Sequence, residues 1–240
     1  MATGNFCWFD LMSTEVGAAK AFYTALFGWE VRDHNVQYSM IHDHAGRSLG
    51  GMMASAPGQP SAWLPYVSVD DIEVAVAAVK AGGGKVFMQH EAAGVGKFAI
   101  FADPQGGVIA AIQLTGTFGP YPREKNENHL CWSELHCPDP AAAAEFYKSV
   151  FGWNYEAWGP DYLLITNEHA GGIMRAQPGV PTHWLVYANT QSTDGVVARV
   201  GELGGKTLMP AMDMPDVGRF AVFADPAGAV FAVMQSVPRG

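Results

Sequence analysis

CWFDLMSTEVGAAKAFYTALFGW at residues 7–29 and CWSELHCPDPAAAAEFYKSVFGW at residues 131–153 are two versions of one segment. Set 124 residues apart, they agree at ten of 23 positions, from the opening Cys-Trp to the closing Phe-Gly-Trp. A second block, KFAIFADPQG at 97–106, matches RFAVFADPAG at 219–228 at seven of ten positions with an offset of 122. Order and spacing both survive, so a unit of about 120 residues occurs twice, the mark of an internal duplication. Between the copies, TGTFGPYPREKNEN (115–128) is polar, holds two prolines and has no hydrophobic period, which is the composition of an exposed linker. The expected division is a first domain over 1–115, a linker over 116–128 and a second domain over 129–240.

Within each copy the pattern is strand, helix and three strands, run through twice. Phe6–Met12 alternates as a strand with two faces, Cys7, Phe9 and Leu11 on one and Trp8, Asp10 and Met12 on the other. A helix over about Thr14–Phe27 should cover the first set and stop at Gly28. In the second copy Asp139 suits the N-cap, Pro140 the first helical position and Gly152 the end. Strands are expected at Trp29–Asp33, Gln37–His42 and Ser48–Met53. After the loop Ala56–Pro60 the pattern restarts with strand Trp63–Val69, a helix capped by Asp70 or Asp71 and running to about Ala81, and strands Lys85–Gln89, Lys97–Ala102 and Val108–Leu114. Asp103-Pro-Gln-Gly106 reads as a hairpin turn. Each copy is thus two βαβββ modules, an α+β class.

Composition narrows the function classes. With 49% hydrophobic and 15% charged residues, the chain can bury a core or two of ordinary domain size. A net charge of −9, with 14 scattered Lys and Arg, argues against nucleic acid or an anionic membrane as partner, since both need clustered cations. No apolar run approaches the roughly 18–20 residues that span a bilayer, and the start lacks a secretory pattern. A cytoplasmic protein with a small organic molecule as partner is the expectation. Cys7, Cys131 and Cys137 form no C-x-x-C and read as reduced thiols.

The strand entry, the Ala-rich helix with Phe22-Tyr23 or Phe146-Tyr147, the Phe-Gly-Trp exit and the Asp-Pro-x-Gly before the last strand together resemble the glyoxalase/bleomycin-resistance (vicinal oxygen chelate) superfamily. The resemblance covers about 5–115 and 129–236. It implies paired βαβββ modules curled into a half-barrel sheet with helices outside, and a concave face that holds a small molecule, in many members over a divalent metal. It also implies a monomer, because fused domains mimic the homodimer of single-domain relatives. At the positions where the resemblance places metal ligands stand Trp8 and Trp132, Leu64 and Leu185, Ala110 and Ala232; the fourth falls in Ser48–Met53 or Gly171–Arg175, which hold no His, Glu or Asp. Such side chains offer a metal no donor. The expectation is therefore no metal, and with no G-x-G-x-x-G or phosphate loop, no other cofactor.

What remains on the inward faces is a pocket-like mixture of aromatic walls and a few polar groups: Trp8, Met12, Tyr66 and Ser68 in the first copy, Trp132, Tyr187 and Asn189 in the second. Trp8 and Trp132 read equally as core or as ligand platforms, whereas Trp63 and Trp184, of opposite parity, read as core. Asp10 and Glu134 hold the same position in the two copies. An enclosed carboxylate there serves as general base, as anchor for a ligand hydroxyl or amine, or only as a partner of backbone. His136 would share the face of Glu134, either as its acid/base partner or as a strand-end group bonded to a carbonyl; the first copy has Met12 instead. Three readings follow: a metal-independent small-molecule binder, a glyoxalase-like lyase/isomerase or hydroxylase-like enzyme using Glu134, Asp10 and His136, or a protein with vestigial pockets acting through its surface. His34, His42, His44, His90 and His169 are expected in or beside loops, and His183 at a strand start near the rim.

Overall fold

A computed structural model describes residues 4–115, 127–167 and 171–237. Most of the expected linker, 116–126, and His169 lie outside the described residues. The first repeat runs β1 (Phe6–Ser13), α1 (Val16–Phe27), β2 (Glu30–Asp33), β3 (Tyr38–His42), β4 (Ser48–Ala54), β5 (Ala62–Ser68), α2 (Ile72–Ala81), β6 (Lys85–Ala92), β7 (Gly96–Ala102) and β8 (Val108–Leu114). The second runs β9 (Leu130–Cys137), α3 (Pro140–Phe151), β10 (Tyr155–Ala157), β11 (Tyr162–Ile165), β12 (Gly171–Arg175), β13 (His183–Asn189), α4 (Thr193–Glu202), β14 (Lys206–Met214), β15 (Gly218–Ala224) and β16 (Val230–Ser236). These are the two βαβββ passes per copy that the pattern predicts.

Each repeat forms one open eight-stranded sheet, ordered β2-β3-β4-β1-β5-β8-β7-β6 and β10-β11-β12-β9-β13-β16-β15-β14. The strand before each helix lies parallel to the last strand of its module, as β1 to β4 and β13 to β16, while the hairpins are antiparallel. Parallel neighbours need a crossover, and the helix supplies it. Gly28 and Gly152 close α1 and α3 in the left-handed conformation, at φ 70° and 69°, where a side chain would be strained. Asp139 accepts from the Ala141 and Ala142 amides as the expected N-cap. α1 begins two residues later than expected, behind Glu15, whose side chain makes no capping bond. Asp71, not Asp70, caps α2.

The chain packs into two compact units, each drawing on both repeats. One comprises 4–8, 64–115, 133–167 and 171–185; the other comprises 9–63, 127–132 and 186–237. In the first, the repeated Phe-Tyr and Phe-Gly-Trp put Tyr147, Phe151 and Trp153 against Trp184 and Phe6. Trp184 Nε1 donates to the Tyr147 hydroxyl at 3.2 Å, which donates to Asp103 Oδ2 at 2.9 Å. Asp103 Oδ1 meanwhile accepts from the Gln105 and Gly107 amides, so the turn residue has a second task. In the second unit Tyr23, Trp29, Trp63 and Phe231 make the matching cluster. Trp63 Nε1 donates to the Tyr23 hydroxyl at 2.9 Å, and burial followed by the charge of Asp225 pushes that phenol up. Trp63 and Trp184 are core residues, as their parity predicts. Cys7 is buried, whereas Cys131 on the same face is partly exposed. Burial, with Asp103 nearby, pushes the Cys137 thiol up to about 12, leaving it unreactive at neutral pH.

Candidate carboxylate and histidine site

Along β1, Cys7, Phe9 and Leu11 are buried on the helix side, and Trp8, Asp10 and Met12 take the opposite face. Register carries that face across the neighbouring strands. Asp10 lies opposite Gly51 and Gly51 opposite Met40; Met12 lies opposite Met53 and Met53 opposite Tyr38. Asp10 is only 4% exposed, and the Tyr38 hydroxyl donates to its Oδ1 at 2.7 Å. An enclosed carboxylate needs such a donor. The bond is possible because residue 51 is glycine: a Cβ there would stand 1.8 Å from Tyr38 Oη and 2.5 Å from Asp10 Oδ1.

The second repeat builds the same face with different chemistry. Glu134 lies opposite Gly172, and His136 opposite Met174, which lies opposite Tyr162. A Cβ on Gly172 would meet Tyr162 Oη at 2.1 Å, so this glycine too makes room for a tyrosine hydroxyl beside the carboxylate position. Here His136 Nε2 and Glu134 Oε1 are 2.8 Å apart. The His136 ring stacks on His183 with centroids 4.8 Å apart and planes 27° from parallel. His183 Nδ1 donates to the Pro181 carbonyl at 2.8 Å. Burial pushes the His183 imidazole below its usual value, against the Pro181 bond, and His136 pushes the same way as burial. A neutral His183 with its proton on Nδ1 leaves Nε2 as an acceptor. Carboxylate, imidazole and neutral imidazole in contact can take up and pass on a proton.

The other expected residues divide between the compact units. Trp8, Tyr66 and Ser68 fall in the unit that holds Glu134 and His136; Trp132, Tyr187 and Asn189 fall in the unit that holds Asp10 and Met12. Trp8 and Trp132 are both partly exposed on the helix-free face. Tyr66 meets Phe98 edge to face at 6.0 Å, and Phe98 meets His90, which lies within β6 and not in a loop, at 5.6 Å. The Ser68 hydroxyl accepts from the Asn5 amide at 3.2 Å and donates to the Asn5 carbonyl at 3.3 Å, tying β5 to the start of β1. Tyr38 and His183 are the additions. Sequence parity offered no sign that Tyr38 reaches Asp10, because that depends on which β4 residue lies opposite.

A chelated divalent metal needs three or four donors converging at about 2.0–2.3 Å. Leu64 and Ala110, at two of the positions in question, are buried apolar side chains. Among the described residues no group of three or more His, Cys, Asp or Glu side chains is placed to hold a metal. At the positions where the fold resemblance places metal ligands, the side chains offer a chelated metal no donor set.

Duplicated βαβββ modules, each with its first and last strands paired in parallel, and polar groups on the helix-free face are the features of a glyoxalase-like fold. A model of the glyoxalase-like domain matches residues 8–112 and again 132–234. The chain belongs to this family and carries two copies of its domain. It is 35% identical, over 97% of its length and 95% of the relative's, to a Mycobacterium bovis protein provisionally named glyoxylase CFP32. Over 42% of its length it is 38% identical to the anthracycline biosynthesis protein DnrV of Streptomyces peucetius, covering 45% of that protein. Among solved structures, the Mn(II)-bound glyoxalase of Novosphingobium aromaticivorans superposes with a TM-score of 0.70 at 16% identity, covering 99% of this chain and 83% of that one. Homoprotocatechuate 2,3-dioxygenase of Brevibacterium fuscum gives 0.67 at 14%, covering 98% and 82%. These two show a shared fold. No helix among the described residues is long and apolar enough to cross a membrane.

Proposed function

We propose that this protein binds a small organic molecule on the helix-free faces of its sheets without the family's chelated metal, and that the Glu134–His136 pair makes the second repeat the one able to move a proton. The observation that carries this reading is the 2.8 Å contact between Glu134 and His136 beside a neutral His183. The first repeat has a carboxylate held by a tyrosine and Met12 in place of the histidine, a set suited to anchoring a ligand hydroxyl or amine and no more. The name of the Streptomyces relative supports a flat, hydroxylated ring system as ligand, and that of the mycobacterial relative supports lyase or isomerase chemistry at the same groups. The protein would act as a cytoplasmic monomer.

The test is a fluorescence titration with 1,4-dihydroxyanthraquinone, with and without EDTA. Binding should be indifferent to EDTA. Loss of a charge-assisted hydrogen bond should make Glu134→Gln weaken it by about tenfold or more, with Asp10→Asn costing less. Binding that requires added Mn(II), or that is unchanged in Glu134→Gln, would overturn the reading.

A further inference from the structure

Methionines crowd one face of the second repeat. The registers of β13, β16, β15 and β14 align two rows across four strands: Asn189, Met234, Phe220 and Met212 in one, Tyr187, Ala232, Val222 and Met209 in the other. The alternate residues Ala221, Phe223, Phe231 and Val233 are buried on the helix side. Phe223 and Phe231 pack against Phe22 and Tyr23 of α1, so the rows occupy the helix-free face, where Tyr187, Ala232 and Val222 are themselves buried and the methionines of β14 are exposed. Met209 and Met212 are three residues apart and would ordinarily point to opposite sides of a strand. β14 has two register shifts, one between Thr207 and Met209 and one between Met209 and Met212; the second, at Pro210 and Ala211, brings both methionines onto this face, opposite Val222 and Phe220. Met214 follows on the same side. Met209, Met212 and Met214 are 37%, 47% and 42% exposed, a large apolar surface for three neighbours to show.

The first repeat has the same two rows with other contents. Ser68, Ile112, Phe98 and His90 stand in one, Tyr66, Ala110, Ile100 and Met88 in the other. Ser68 replaces Asn189, Ile112 replaces Met234 and His90 replaces Met212. The tyrosine, the phenylalanine, the small alanine and one methionine, Met88 or Met209, are common to both, so the scaffold is shared and the thioethers of Met212 and Met234 are what the second repeat adds.

Resting on the reading that the protein binds a small organic molecule, we infer that this face of β13–β16 is a platform for a planar, polycyclic aromatic ring system, with the Asn189 amide meeting a ring oxygen at its inner end. Thioethers are polarizable, unbranched and adaptable, and they make favourable contacts with aromatic rings. A second copy adding a strand to the edge at β14 is the competing occupant. Pro210 and the two bulges disfavour it, because they remove a ladder donor and twist the edge.

The experiment uses the full chain labelled with ε-13C methionine and titrated with 1,4-dihydroxyanthraquinone. Ring currents should move the methyl signals of Met209, Met212 and Met234, with that of Met88 unmoved. Met209→Asn and Met212→Asn alter exposed positions and should fold normally, checked by circular dichroism. Each should weaken binding by about two- to tenfold, the worth of a thioether–ring contact, and Met88→Asn should not. Binding lost in Glu134→Gln but untouched in the methionine variants would overturn the platform and leave the binding reading standing. Binding lost in the methionine variants but kept in Glu134→Gln would do the reverse, and absence of binding overturns both. Methyl shifts that track self-association in light scattering, without ligand, would also overturn the platform.

Discussion

At the scale of single residues, the candidate site turns on three side chains in contact, Glu134, His136 and His183. His183 is the informative one, since burial holds its imidazole below the usual value of about 6.5. A base depressed in the folded state stays neutral there while the unfolded chain takes up a proton, so folding loses stability as pH falls below about 6.5 and is indifferent above it. Urea unfolding between pH 5 and 8 should show that limb, and His183→Gln should flatten it. Equal slopes for variant and parent would mean that His183 is not held neutral by the fold. Glu134 and His136 as a pair on one strand face were legible from alternation alone, because two residues apart in a strand is one face. The Asp10–Tyr38 bond was not. It depends on a cross-strand register and on Gly51 having no Cβ, and neither leaves a local trace in the sequence. The second oxygen of Asp103 was hidden for a similar reason: its partner, Tyr147, comes from the other repeat.

At the scale of elements, the repeats allow a controlled comparison. α1 and α3 end alike at glycines in the left-handed conformation but begin differently, since Asp139 accepts two amide bonds and Glu15 accepts none with its side chain. Asp139→Ala should therefore destabilise the protein by about 0.5–2 kcal/mol, the usual worth of an N-cap, while Glu15→Ala should be close to neutral in the same chemical denaturation series. Similar losses would show that the caps do not distinguish the helices. Element type and order followed from periodicity and from turn residues. Boundaries drifted where competing caps stood side by side, as Asp70 and Asp71 do, or where the start of α1 lacked any capping side chain. The irregular β14 was beyond periodicity altogether: the register shift between Met209 and Met212 places residues three apart on one face, which alternation forbids.

At the scale of the whole molecule, sequence repeat and compact unit are different objects. The duplicated segments reveal the repeats, but each unit is built from the first module of one repeat and the second module of the other. Tyr23 and Trp29 depend on Phe231, and Tyr147 on Asp103, so neither repeat carries its own complete core. Fragments 1–115 and 129–240, produced separately, should each lack a sharp unfolding transition and regain near-UV aromatic dichroism when mixed. A fragment that melts cooperatively as a monomer would refute this.

The same exchange of modules governs the protein's birth on the ribosome. Strands β1–β4 and α1 emerge first with their aromatic face uncovered, and the strands that cover it, β13–β16, emerge last. At about 5–20 residues per second that interval is on the order of ten seconds to half a minute. Throughout it, Phe22, Tyr23 and Phe27 stay without the strands that cover them in the folded protein, an exposed apolar face of the kind that nascent-chain chaperones shield.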